Sequence, residues 1–274
     1  MRFQAGLLPD GVRLHLNAGP IDLICFAPEA GREAAYGAAC RRFDGLLEEL
    51  VAELPELRRE GGQGRGPVAG RMSRAVAPFA PEFITPMAAV AGSVAEEILG
   101  AMAGAVPEGK LWVNNGGDVA WRPGAEPMRL ALPGGVLEVP GTAPWRGCAT
   151  SGRGGRSHSL GIADAVTVLA TGAAQADAAA TMIANRVDLP GHPAVRRQPA
   201  EELSPDSDLG ARLVTVDLGP LSREEVEEAL TRGAGYAGAL RGRGLIGAAH
   251  LALNGQGRVV GEMTDLLPGV GPAA

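Results

Sequence analysis

The stretch from Trp145 to Val187 constrains this chain more than any other part of it. A short apolar segment runs into a Thr-Ser-Gly turn at Thr150–Gly152, and a loop of glycines, arginines and one histidine follows. Next comes Ala165–Ala170, A-V-T-V-L-A, an apolar run of strand length that reads as a buried strand. The helix expected from about Ala174 to Val187 is rich in alanine and must pack through small side chains. On that helix Asp177 and Thr181 are four residues apart, so their oxygens lie on one face, one turn from each other. A carboxylate stacked on a hydroxyl suits a hard cation such as Mg²⁺, which takes oxygen ligands and often shares them with a substrate phosphate. A solvated Asp and a Thr bonded back to its own helix satisfy the same spacing.

Around this centre the pattern alternates between strands and helices. Val12–Asn17 and Ile21–Phe26 predict a hairpin with a four-residue loop, and His15 falls on its polar side. A long helix is expected from about Glu29 to Leu54, stopped by Pro55 and weakened by Gly31, Gly37 and Gly45. Arg58–Arg74 is basic and glycine-rich, which predicts a mobile connection whose Arg71 or Arg74 either holds an anion or faces solvent. Thr85-Pro86 opens a helix to about Met102, and its small residues Ala88, Ala89, Ala91, Gly92 and Ser93 would admit a close backbone neighbour. The start of that helix is either an anion site or simply well capped. Asn114-Asn115-Gly116-Gly117 predicts a tight turn, followed by a return strand from Asp118.

Further strands are expected at Met128–Ala131, Val136–Val139, Gly147–Thr150 and Arg212–Leu218, with an excursion loop over His192–Gly210. Ser222 and Glu225 spell a capping box for a helix to about Leu240. A closing hairpin turns at Asn254–Gly257, and a disordered tail is expected over 266–274.

Composition narrows the function classes. A formal charge of −6 and a pI near 5.3 argue against a general basic face for nucleic acid. No apolar run of membrane-spanning length is seen, nor is a signal peptide, so neither a nucleic-acid nor a membrane partner is expected. Cys25, Cys40 and Cys148 are odd in number and lack zinc-like spacing, which predicts reduced thiols in a cytoplasmic protein.

Several ordered motifs carry a family resemblance. Ala149–Gly152 (A-T-S-G), Ser157-His158, the strand A-V-T-V-L-A, Ala176–Thr181 (A-D-A-A-A-T) and Val113–Asp118 (V-N-N-G-G-D) resemble the ApbE superfamily of FAD:protein FMN transferases. Phe83–Gly92 and the opening L-L-P-D-G-V-R-L-H-L-N-A-G-P-I-D-L are similar to its UPF0280 branch. The resemblance implies an α+β fold with two pseudo-duplicated sheet and helix halves and a cleft between them. It implies one domain over 1–274, with possible lobes of about 1–145 and 146–265.

The resemblance also implies a divalent cation held by Asp177, Thr181 and the Ala149 carbonyl. Asn114, Gly116, Gly117 and Asp118, with Ser151 and Gly152, would lie against a flavin nucleotide. Arg153 and Arg156 would clamp an anionic group or face solvent. His158 aligns with the histidine of the transferases' H-I-I-D-P motif, but H-S-L-G stands here, so the acid and the proline are missing. His158 is therefore either a general acid or base or a structural histidine. Asp164 either supplements the metal or caps the loop, and Cys148 reads as a small buried residue. The expectation is a Mg²⁺-assisted protein for FAD or another anionic nucleotide, transferring or cleaving a phosphate anhydride, with a homodimer left open. A flavin carrier without turnover and an enzyme on a non-flavin metabolite are the alternatives.

Overall fold

The computed structural model describes residues 3–132, 135–155, 157–263 and 266–268. In chain order it forms β1 (Gln4–Leu7), β2 (Leu14–Ala18), β3 (Ile21–Phe26), α1 (Arg32–Phe43), α2 (Leu46–Leu57), α3 (Pro67–Val76), α4 (Val90–Ala105), β4 (Leu111–Asn115) and β5 (Asp118–Arg122). It continues with β6 (Met128–Leu132), β7 (Gly135–Val139), β8 (Gly147–Ser151), β9 (Ala165–Ala170), α5 (Ala173–Ala184), β10 (Val195–Pro199) and α6 (Ala200–Leu203). It closes with β11 (Leu213–Leu218), α7 (Arg223–Gly242), β12 (Ala248–Leu253), β13 (Gln256–Val260) and β14 (Leu266–Pro268). Helices packed on antiparallel sheets make the fold α+β.

The chain divides into two compact units. The first holds Met1–Met128, Val139–Ala149 and Thr171–Asp177; the second holds Arg129–Glu138, Thr150–Ala170 and Ala178–Ala274. In the first unit β1-β2-β3-β4-β5-β8 lie side by side, each pair antiparallel. Strict alternation on β2, β3 and β4 buries Leu14, Leu16, Leu23, Cys25, Leu111 and Val113 on one face. Helix α4 packs on β4 and β5 and is flanked by α1 and α3. In the second unit β9-β12-β13 form an antiparallel trio, with α7 on β12 and β13. That unit also holds the β10-β11 ribbon.

Several expectations need correcting. The long helix is two, because Asp44 turns extended and Gly45 adopts φ +76, ending one helix and starting the next. Pro55 sits within the last turn of α2 and does not stop it. The basic segment is a short connection followed by α3. Pro67 stands at its start, Glu53 accepts from the Arg65 and Gly66 N–H groups, and Val68, Ala69, Met72 and Val76 form the buried face. Pro86 opens a short 3₁₀ turn before α4, and the Thr85 side chain does not cap it. The excursion over His192–Gly210 contains β10 and α6, and β10 pairs with β11. The first hairpin closes at Ala18↔Ile21 and the last at Leu253↔Gln256, so both loops have two residues where four were expected. Of the expected tail, Leu266–Pro268 pairs with β7, and 269–274 lie outside the described residues.

Contrary to the expectation that no apolar run is long enough, the stretch Pro86–Ala105 is, by length and composition alone, long and apolar enough to cross a bilayer. Here it packs as α4 within the first unit, and its acids Glu96 and Glu97 are engaged by arginines.

Candidate functional site

The site is built where the first turn of α4 meets β4, β5 and α5. A helix start leaves N–H groups without partners inside the helix. Those of α4 are met by a carboxylate from far along the chain: the Gly92 N–H donates to Asp177 Oδ2 at 3.0 Å, and the Ala91 N–H also bonds this group. Of the two readings of this helix start, an anion site or a well-capped end, the structure shows its N–H groups met by the protein's own acid. The arrangement is reciprocal, since Glu96 of α4 accepts from the Ala174 N–H at 2.9 Å and so caps α5. The backbones come close enough that a Cβ on Gly92 would stand 2.3 Å from the Ala173 carbonyl oxygen.

Asp118 completes the group. Asn115 and Asp118 face each other across the two-residue turn Gly116-Gly117, whose φ values of +64 and +117 suit glycine. Asp118 is buried and its carboxyl is hydrogen-bonded to that of Asp177. Asp177 is half-buried, and its pKa is held well above the usual carboxylate range, first by burial and then by the charge of Asp118. Asn115 Nδ2 donates to the Ala91 carbonyl at 3.1 Å. Asn115 Oδ1 and Ser93 Oγ are buried without a hydrogen-bond partner. Two carboxyls and an unmatched amide oxygen form an oxygen-only set, the chemistry a hard divalent cation takes. Thr181 lies one turn beyond Asp177 on α5, half-buried, and Ala149 is buried in β8. Among the described residues no group of three or more His, Cys, Asp or Glu side chains is assembled.

The remaining candidates are dispersed. Asn114 Oδ1 accepts from the Gly117 N–H at 2.8 Å and shapes the turn. In the second unit Ser151 ends β8, and Gly152 is buried with its backbone against Asp164. Arg153 pairs with Asp164 at 2.7 Å, while the second Asp164 oxygen accepts from the Asn254 N–H at 2.6 Å. Asp164 therefore ties its loop to the β12–β13 turn and pairs with Arg153, the residue expected either to clamp an anion or to face solvent. Arg156 lies outside the described residues. His158 is exposed. In the first unit Arg71 is held by Glu96, Glu97 and the Ser93 carbonyl, so its role is structural. Burial pushes the Cys148 thiol far up, with Asp118 adding to the shift, which suits an inert buried residue. His15 pairs with Asp22 at 2.7 Å on the open side of its hairpin.

The residues missed in the sequence are Asn115, Ser93 and Glu96. Asn115 stood in the turn motif itself, and a polar residue at a buried strand register was the signal available.

A family model described as AbpE bacteria matches residues 5–259. The chain belongs to this family. Over 148 residues it is 42% identical to a UPF0280 protein of Methanopyrus kandleri, a match covering 50% of this chain and 54% of that one. A UPF0280 protein of Methanothrix thermoacetophila is 37% identical over 129 residues, 44% of this chain and 52% of that one. The chain thus spans about half the length of the curated relatives it matches. Among solved structures, the apo flavinyl transferase ApbE of Pseudomonas stutzeri is similar at 17% identity and a TM-score of 0.38, over 90% of this chain and 77% of that one.

Proposed function

We propose that this member of the family binds FAD, or a nucleotide like it, together with a divalent cation at Asp177, and acts on the nucleotide's phosphate anhydride. The observation that carries this reading is the Asp177 carboxyl held against Asp118 at the first turn of α4, with Thr181 one turn further along the same helix. Asp177, Thr181 and the Ala149 carbonyl would hold the cation. When bound, Mg²⁺ neutralises charge on phosphate oxygens and so favours their displacement.

The chain's own groups position the reactants. The Ala91 and Gly92 N–H groups fix the Asp177 carboxyl, so it needs little ordering when a ligand arrives. The Gly116-Gly117 turn offers backbone that a nucleotide can approach, and a Cβ on Gly117 would meet nothing within 4 Å. Asn114, Asp118, Ser151 and Gly152 are the further nucleotide contacts proposed. His158, exposed on the loop after β8, is the proposed proton donor or acceptor. Three free thiols support a reducing, cytoplasmic setting.

The test is to incubate the protein with FAD and Mg²⁺ and to separate flavins by chromatography. Release of FMN that needs Mg²⁺ and disappears in Asp177→Ala is the expected result. Bound FAD that is never cleaved would convert the reading to a flavin carrier. Failure to bind FAD or ADP in the presence of Mg²⁺ would overturn it.

A further inference from the structure

Resting on the cation site just proposed, we infer that Asp118 and the side-chain oxygen of Asn115 are also ligands of that cation, so that it binds this chain before any nucleotide does. Asn115 and Asp118 are cross-strand partners at the end of the β4–β5 hairpin, so their side chains leave the sheet on the same face. Both are buried, at 4% and 6% exposure. The bond from Asn115 Nδ2 to the Ala91 carbonyl settles which way the amide points, because only the nitrogen can donate. Its Oδ1 is then the buried atom left without a partner. Residues 91 and 92 supply the N–H groups that hold Asp177, whose carboxyl in turn meets that of Asp118. Oxygens from β4, β5 and α5 are therefore gathered at one turn of α4.

Charge decides what the set can hold. Asp177, Thr181 and a carbonyl supply one negative charge, and such a site depends on a phosphate to complete the neutralisation of a divalent ion. With Asp118 the protein supplies two negative charges, and affinity at oxygen sites follows ligand charge count and rigidity. Without the cation the two hydrogen-bonded carboxyls share a proton, and a water at Asn115 Oδ1 would satisfy that atom. A divalent cation releases that proton and takes both carboxylates and the amide oxygen at once.

The experiment follows free Mn²⁺ by electron paramagnetic resonance as the ion is titrated into the full chain, with and without ADP. Wild type should take up Mn²⁺ without ADP. Asp118→Asn, which is nearly isosteric, should weaken that binding by about 10-fold or more, and Asn115→Ala by a smaller factor, on the scale of lost metal-site partners. Circular dichroism checks that each variant is folded, and Asn115→Ala serves where Asp118→Asn is not. Unchanged Mn²⁺ affinity in the folded variants overturns the inference. Uptake by wild type only with ADP present also overturns it, while leaving the nucleotide reading intact. No uptake with or without ADP overturns both.

Discussion

Two glycines on α4 should respond in opposite directions to the same substitution. Replacing an exposed helical glycine with alanine usually stabilises by about 0.5–1 kcal/mol, because alanine loses less backbone entropy on folding. Gly100 is exposed, and a Cβ there would meet nothing within 4 Å. Gly100→Ala should realise the whole of that gain. Gly92 lies on the same helix, but its added Cβ would stand 2.3 Å from the Ala173 oxygen, 2.4 Å from the Ala173 carbonyl carbon and 2.7 Å from the Ala174 nitrogen. All three are backbone atoms and cannot rotate away, so α4 and the start of α5 must separate. Overpacking of this kind costs about 1–3 kcal/mol.

Separation also pulls apart the two crossed caps, Asp177 on Gly92 and Glu96 on Ala174, at about 1 kcal/mol each. Against a helix-propensity gain of about 1 kcal/mol, Gly92→Ala should be net destabilising by about 3 kcal/mol. For a chain of this size that corresponds to roughly 6–12 °C in Tm. Urea titration followed by far-ultraviolet circular dichroism measures both variants against wild type. If Gly92→Ala proves as stable as Gly100→Ala, the close crossing of α4 and α5 is wrong, and the reasoning about the site built on it goes too.

Three further outcomes are expected. Arg71→Ala should destabilise the fold by about 1–3 kcal/mol, because it leaves the half-buried Glu96 and Glu97 short of a partner, yet leave nucleotide affinity unchanged; a tenfold loss of ADP binding in a folded variant would return Arg71 to the role of anion clamp. His250 is buried on β12 with Nδ1 unpartnered, opposite Thr167 and Val259 and against Gly257, and burial lowers its pKa. Its neutral form is the one the fold prefers, so its contribution is present above the unfolded value of about 6.5 and is lost as pH falls through the lower folded value. Urea midpoints should therefore drop more between pH 7 and pH 5 for wild type than for His250→Gln, and equal drops would refute this. The protein should also flavinylate an acceptor protein poorly, because His158 is exposed and the nearest following acid, Asp164, is spent on Arg153 and Asn254; a missing positioned partner costs about 10²–10⁴-fold in rate, and efficient covalent labelling lost in His158→Ala would contradict it.

Local chemistry was legible in the sequence wherever one element settled it. The β9 strand is read to the residue, and the Ser222–Glu225 capping box forms with both of its bonds. The Gly116-Gly117 turn and the one-turn stacking of Asp177 on Thr181 follow from spacing alone. What escaped depends on pairs far apart in the chain. Gly92 and Asp177 are 85 positions apart and Glu96 and Ala174 are 78, and no periodicity links them. Asp164 illustrates the same limit, since its partner Asn254 lies 90 positions away. Helix α3 was hidden by composition: its glycines and arginines read as a loop, although Pro67 at the first position and apolar residues at Val68, Met72 and Val76 carried a helical signal.

The residue chosen to cap α4 is itself informative. Asparagine, aspartate and serine cap helix starts about equally well. An asparagine at 177 could still accept from the Gly92 N–H and would donate to Asp118 through its amide, with no second acid beside the buried Asp118. Folding alone therefore gives no reason for the second carboxyl, and its burial beside the first works against the fold. Sequences break local rules of this kind mostly at functional sites, where a ligand absent from the bare fold supplies the compensation. Two carboxyls that hydrogen-bond each other share a proton, and a cation can take the place of that proton. Asp177→Asn should accordingly leave the fold at least as stable as wild type while removing Mn²⁺ binding. A variant that loses stability along with its metal would mean that the carboxylate serves the helix cap after all.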